Sequence, residues 1–126
     1  ERDYYIVHHR NFTGCSWIWL KDPANPDPTI AILKSLDGVE EIMHREEAAQ
    51  RFHLNPEHIG DLIVTGDRDT MFGEMDTAHE ELPETYRAHG SLHEMRLPLL
   101  IWNMEHQLPS EDYFNYNLDL TRFLFR

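Results

Sequence analysis

The chain has 126 residues, 40% of them hydrophobic and 27% charged, a composition typical of one folded domain or of one small domain with a piece of another. Its 23 acidic and 11 basic residues give a formal net charge of -12, which argues against nucleic-acid polymers and anionic membranes as partners, because both are bound through Lys and Arg. The single cysteine, Cys15, excludes an intramolecular disulfide and a cysteine-based zinc cluster.

Short apolar runs in the first half of the chain predict strands. Alternating or continuous apolar character marks them at residues 3–9, 15–20, Val39–His44 and 61–65. Trp17 and Trp19 share one face of the second strand. Core packing is the preferred interpretation of this pair, and an aromatic stacking platform is the alternative.

Two short helices are predicted between these strands. The first begins near Pro28 with Asp27 as its N-cap, and Gly38 follows its end. Three apolar residues at the helical period form the stripe expected to face a core: Ile30, Leu33 and Leu36. The second helix covers Arg45–Phe52. The order strand, helix, strand, helix, strand predicts an α+β fold, a small sheet with helices on one face of the ferredoxin-like, split β-α-β kind.

The composition changes after residue 66. Residues 71–97 are polar and rich in loop-forming residues, whereas residues 98–103 are apolar and predict another strand. Residues 117–125 predict a terminal helix. We therefore divide the chain into a lead-in strand and turn at 1–14, an α+β unit at 15–66, and a loop-rich C-terminal segment at 67–126.

The loop that runs into the predicted strand at 98–103 carries the first candidate site. It reads His89-Gly90-Ser91-Leu92-His93-Glu94, and the glycine allows a turn that presents an imidazole. Histidine is the commonest metal ligand, so His89 is a candidate ligand. A surface or capping role is the alternative, because this order is not the His-Glu-x-x-His of zinc proteases.

Other polar residues carry weaker signals. Asp67 and Asp69 follow the strand at 61–65, where they would hold Mg or Ca or, in the preferred interpretation, form an Asx turn. Of the adjacent His8 and His9, one is expected inside and one in solvent, with a site role as the alternative. Cys15 has no activating neighbour and is not a candidate nucleophile. Five histidines without ligand spacing are interpreted as structural: His44, His53, His58, His79 and His106.

Two runs of this sequence resemble one enzyme family. Residues 59–70 read Ile-Gly-Asp-Leu-Ile-Val-Thr-Gly-Asp-Arg-Asp-Thr, and residues 87–100 contain the string His-Gly-x-x-x-Glu-Met-x-x-Pro-Leu. Both are similar to the C-terminal half of type I phosphodiesterase/nucleotide pyrophosphatase enzymes, particularly the phosphonoacetate-hydrolase-like members of the alkaline phosphatase superfamily. Residues 38–41 and 45–49 resemble the cap that these enzymes insert into their core, and residues 7–9 resemble the segment before it.

The resemblance implies chemistry that this sequence supplies only in part. In the family, a Thr or Ser nucleophile and two zinc ions act on a phosphoester or phosphonate. His89 matches the family's metal-ligand histidine, Glu94 becomes a structural loop residue, and His93 departs from the pattern. The nucleophile and the other Asp and His ligands precede the cap in the family, and no Asp-His dipeptide occurs here. A two-zinc site needs about six protein ligands, so one histidine leaves it incomplete.

We therefore expect a fragment of a metal-dependent phosphohydrolase that is inactive alone. Residues 15–66 would be the substrate-covering cap, His89 one metal ligand, and no catalytic residue is assigned. The intact enzyme would hydrolyse a phosphodiester, pyrophosphate or phosphonate small molecule with two zinc ions, which the fragment does not retain. The rival hypothesis is an independent ferredoxin-like binding or oligomerisation module without catalysis.

Overall fold

The computed structural model describes residues 13–73, 76–105 and 107–125. The predicted strand at residues 3–9, with His8 and His9, lies outside these residues. Within the described part of the chain, no helix combines the length and the apolar character needed to cross a bilayer.

Three strands form the sheet at the centre of the fold. They are β1 (Cys15–Ile18), β2 (Val39–His44) and β3 (Leu62–Gly66), and their spatial order is β1-β3-β2. Both outer strands are antiparallel to β3, so β1 and β2 run parallel to each other on either side of it. A helix connects these two parallel strands, which is the split β-α-β arrangement. The predicted α+β class is confirmed, and β2 has the bounds that the sequence predicted.

Three α-helices accompany the sheet: α1 (Asp27–Lys34), α2 (Arg45–Phe52) and α3 (Asn117–Leu124). The prediction of Asp27 as the N-cap of α1 is wrong. Pro26 holds that position with helical angles, φ -76° and ψ -21°, and no side chain caps the helix. The proline ring fixes the φ angle of Pro26 near the helical value. Asp27 is therefore the first residue of the helix and does not adopt the extended conformation typical of an N-cap. The helix also ends at Lys34, earlier than predicted, whereas α2 has the predicted bounds.

The core lies where α2 packs on the sheet. Ala48 and Ala49 of the helix contact Met43 of β2 and Ile63 of β3, and Ile59 completes the cluster. The small side chains of the two alanines let the helix approach the strands closely. Ile63 lies on this face of β3. Because side chains alternate along a strand, its buried neighbours Leu62 and Val64 lie on the opposite face. The central strand is therefore buried on both faces.

A partly buried ion pair joins the two ends of the α2 connection. The Arg45 guanidinium donates from Nη2 to Oδ1 of Asp61 at 2.6 Å, and from Nε to the Gly60 carbonyl at 3.3 Å. The second Asp61 oxygen accepts the backbone N–H of Leu20 at 2.7 Å. One carboxylate thus connects the residues that follow β1, begin α2 and precede β3.

Helix α1 covers less surface than its sequence pattern predicts. None of its residues is buried, Ile30 and Leu33 are half-buried, and Leu36 beyond its end is exposed. The apolar stripe is present, but the described residues bury no part of it fully. The prediction that this stripe faces a core is therefore only partly correct.

The predicted strand at residues 98–103 is wrong. These residues have no regular secondary structure, and Leu100 and Trp102 are each 92% exposed. A strand needs a neighbour for its backbone N–H and C=O groups, and the described sheet ends at β1 and β2 without this segment. The apolar run is present, but it pairs with none of the three described strands.

The predicted terminal helix is confirmed as α3. Asp119 in its first turn accepts the backbone N–H groups of Tyr116 at 2.9 Å and Asn115 at 3.2 Å. Phe123 of the helix contacts Phe114 edge to face, with ring centroids 5.5 Å apart. These contacts are local in sequence, and no residue of the helix is buried.

Candidate functional site

His89 lies in an exposed loop whose backbone is tied to the residues before β1. Its carbonyl oxygen accepts the N–H of Gly14 at 2.9 Å and the hydroxyl of Thr13 at 3.1 Å. Thr13 also pairs with Phe72 through two backbone hydrogen bonds. The imidazole itself is exposed. The fold therefore fixes the His89 backbone while leaving its side chain accessible to a ligand.

Two glycines allow this loop to approach the start of β1. A β-carbon on Gly14 would lie 2.5 Å from the Cβ and N of Ser91, a distance that real side chains do not tolerate. Gly90 has a φ of +97°, and a β-carbon there would lie 2.5 Å from the Thr13 hydroxyl. Ser91 is buried in consequence. The Gly90 of the sequence string is thus required by backbone geometry.

The rest of the loop is a short 3₁₀ turn, Leu92–Glu94, with reciprocal caps. The Ser91 hydroxyl accepts the N–H of His93 at 3.1 Å, and the Glu94 carboxylate accepts the N–H of Ser91 at 2.8 Å. Glu94 is therefore a structural loop residue, as the sequence comparison implied. His93, which had no assigned role, donates from Nε2 to Oε2 of Glu40 at 3.0 Å.

The described residues do not fit a complete metal centre. Among residues 13–73, 76–105 and 107–125, no three His, Cys, Asp or Glu side chains converge as ligands. Zinc in proteins takes about four ligands, three or more of them from the protein. The His89 imidazole is exposed and belongs to no such cluster within these ranges.

The Asx-turn interpretation of Asp67 and Asp69 is confirmed. Oδ1 of Asp67 accepts the N–H of Asp69 at 3.0 Å, and the Asp67 carbonyl accepts the N–H of Thr70 at 3.3 Å. The Asp67 N–H donates to the Gly38 carbonyl at 2.8 Å. The turn accounts for both aspartates, and the Mg or Ca alternative has no third ligand among the described residues.

Trp17 and Trp19 do not pack in the core, so the preferred interpretation of this pair is wrong. Their rings are 40% and 63% exposed and meet edge to face, with centroids 6.3 Å apart. Trp17 lies on the outer strand β1 and Trp19 directly after it, and neither belongs to the core cluster beneath α2. Two adjacent aromatic rings are therefore displayed at one edge of the sheet.

A shallow cleft of about 240 Å³ lies away from the His89 loop. Its lining combines apolar residues of the loop after β1 with polar residues around the Arg45–Asp61 pair: Leu20, Pro23, Pro26, His44, Arg45, Glu46 and Asp61. No residue proposed from the sequence as a ligand lines it. His44 borders the cleft, His53 contacts Tyr116 edge to face at 5.2 Å, and neither lies with His89 in a metal cluster.

Comparison with known proteins points to hydrolases of the alkaline phosphatase superfamily. No protein-family model matches the chain. Two crystal structures of phosphonoacetate hydrolase from Sinorhizobium meliloti 1021 are similar to it. In the complex with phosphonoacetate the TM-score is 0.59 with 32% sequence identity, over 73% of this chain and 23% of that one. In the complex with phosphonoformate the TM-score is 0.58 with 32% identity, over 72% and 22%.

The similarity supports the superfamily that the sequence resembles, and not one family within it. The chain spans less than a quarter of the length of the phosphonoacetate hydrolase that it matches. The match therefore concerns part of a phosphohydrolase-like fold.

Proposed function

We propose that this chain is the cap and C-terminal part of a zinc-dependent phosphohydrolase, and that His89 supplies one metal ligand. The observation that carries the proposal is the 32% identity to phosphonoacetate hydrolase over 73% of this chain. The enzyme would cleave a phosphodiester, pyrophosphate or phosphonate bond in a small molecule. The α+β unit at residues 15–66 would cover the substrate, and residues 67–126 would belong to the catalytic core.

Two structural observations support this role. The His89 backbone is fixed by hydrogen bonds to Thr13 and Gly14 while its imidazole is exposed, as a ligand on a preorganised loop requires. Three large apolar side chains of the segment at 98–103 are also exposed, which is unusual for a complete folded unit: Leu99, Leu100 and Trp102. A larger core would bury them.

The first experiment measures hydrolysis by the purified chain with added zinc. Phosphonoacetate and p-nitrophenyl phenylphosphonate are the substrates, and buffer with zinc is the control. We expect no hydrolysis above that control, because the nucleophile and most ligands are missing from the sequence. Hydrolysis that disappears in a His89→Ala variant would show that the chain is an enzyme by itself.

The second experiment examines the complete gene product that contains this chain. We expect upstream sequence with a Thr or Ser nucleophile and further Asp and His ligands. In that protein, His89→Ala should lower kcat/KM by roughly 100-fold or more, since loss of a ligand exceeds the cost of losing its supporting groups. His58→Ala, an exposed histidine in a surface turn, is the matched control and should change little.

The rival function is an independent binding or oligomerisation module. The exposed Trp17 of β1 and Trp19 directly after it favour this function, because adjacent exposed aromatic rings are a feature of protein contacts. A gene product no longer than this chain, a stable dimer in analytical ultracentrifugation and no zinc binding in equilibrium dialysis would together support the module over the hydrolase.

A further inference from the structure

The loop at residues 89–94 is attached to the sheet at both of its ends. At the first end, the His89 carbonyl is held by Thr13 and Gly14, and Ser91 packs on Gly14. At the second end, His93 reaches the exposed Glu40 of β2, 53 residues away in sequence, with 3.0 Å between Nε2 and Oε2. The reciprocal caps of Ser91 and Glu94 make the turn between these points a preformed unit.

The position of Glu40 is produced by an irregularity in β2. Val39 pairs with Gly66 and Glu41 pairs with Thr65, so Glu40 is an extra residue without a partner on β3. A β-bulge of this kind redirects a side chain away from the regular alternation of the strand, and bulges are frequent next to functional sites. Here the redirected carboxylate meets His93.

We propose that Glu40 and His93 are positioning residues that clamp the 89–94 loop across the bulge of β2 and so hold the His89 side chain in one place. This inference rests on the proposed function, in which His89 is the metal ligand. It assigns a role to His93, which departs from the family pattern, and it gives the bulge a purpose. The cap unit would thereby help to order a ligand of the catalytic core.

Glu41, the next residue of the strand, provides a matched control. Its carboxylate pairs with Arg51 of α2, and this hydrogen bond raises the pKa of the Arg51 guanidinium above its ordinary value. The Glu41–Arg51 pair is exposed like the Glu40–His93 pair and lies one residue away, but it does not contact the loop. Glu41→Ala therefore removes a neighbouring exposed side-chain contact of the same strand without releasing the clamp.

The test is amide hydrogen exchange of the purified chain, read by NMR at the capped N–H groups of Ser91 and His93. Glu40→Ala and His93→Ala should each speed their exchange about two- to fivefold, the effect of an exposed pair. The amides of β3 should be unchanged, which shows that the sheet is still folded. The double variant should exchange no faster than either single one, and the charge-swapped pair Glu40→Lys with His93→Glu should restore slow exchange.

A second readout follows the His89 ring directly. Ring relaxation of His89 should show greater mobility in Glu40→Ala and not in Glu41→Ala. Equal effects of these two variants on the loop amides and on the ring would overturn the clamp. A zinc titration separates this result from the proposed function: if zinc shifts the His89 ring signals no more than those of His58, the ligand role fails, whereas the exchange data still decide whether the clamp exists.

Discussion

The strand β3 and the segment at residues 98–103 are both apolar, yet they have opposite environments. β3 is buried from Leu62 to Gly66, with strands on both edges and α2 on one face. Leu100 and Trp102 are almost fully exposed in a segment without regular structure. Apolar character thus indicates that a segment is suited to burial, but it does not identify what covers it.

The sheet region at residues 15–66 and the C-terminal region at residues 67–126 also differ in the sequence range of their polar contacts. Asp61 joins residues 16 and 41 positions away, whereas Asp119 accepts N–H groups three and four positions away and pairs with Arg122 at 3.5 Å. Long-range contacts make the sheet one cooperative unit. Local contacts form α3 without attaching it to a buried core.

The largest expected effect compares one leucine from each region. Leu62→Ala should lower the free energy of unfolding by about 2–5 kcal/mol, because it leaves a cavity where a fully buried side chain was packed. Leu100→Ala makes the same chemical change at an exposed position and should stay within about 0.5 kcal/mol of the original protein. Urea unfolding followed by circular dichroism measures both, and equal losses would show that the two regions do not differ in packing.

A smaller effect compares the two aspartates, whose side chains are both 16% exposed. Asp61→Ala should lower the free energy of unfolding by about 1–3 kcal/mol, since it frees the Arg45 guanidinium and the Leu20 N–H in a partly buried site. Asp119→Ala should cost less than about 1 kcal/mol and affect α3 alone. Amide exchange distinguishes the outcomes: the first variant should weaken protection throughout β3, and the second should not.

These comparisons explain which parts of the fold could be predicted from the sequence. Val39–His44 and Arg45–Phe52 were predicted with correct bounds, because both have their covering partners within the same unit. The predicted strand at 98–103 was wrong because an apolar pattern carries no information about whether a neighbouring strand is present. The prediction that Trp17 and Trp19 pack in the core was wrong for the same reason. Alternation along a strand indicates that two side chains share a face, but it does not indicate whether another element packs on that face.

The candidate site was predictable only as isolated residues. The structural role of Glu94 follows from one short string, in which Gly90 indicates a turn, and the ligand role of His89 stays a prediction. The contacts that hold the loop join it to Gly14 and Glu40, which lie far away in sequence. No local pattern links Glu40 with His93, because the link depends on a bulge and on the pairing of β2 with β3.

The contact between Gly14, before β1, and Ser91, in the 89–94 loop, joins the sheet region to the C-terminal region. We expect a substitution there to disturb the loop and not the sheet. Gly14→Ala places a methyl group against Ser91 and should cost about 1–3 kcal/mol if the loop stays in place. We expect the loop to move instead, so that the unfolding free energy of the sheet falls by about 1 kcal/mol at most while the Ser91 amide loses its protection. Loss of protection across β3 would contradict this expectation and show that the loop and sheet unfold together.

The smallest effect on stability is expected at Trp102, and its value depends on which protein carries the change. In this chain, Trp102→Ser should alter the free energy of unfolding by less than about 0.5 kcal/mol, because the indole is exposed. It should also reduce concentration-dependent association in analytical ultracentrifugation, since it removes an exposed apolar group. In the complete gene product, the proposed function puts residues 98–103 against a larger core, where losing this indole should cost about 3–5 kcal/mol. A small effect in both proteins would mean that residues 98–103 are exposed in both. The proposal that a larger core buries this apolar segment would then be wrong.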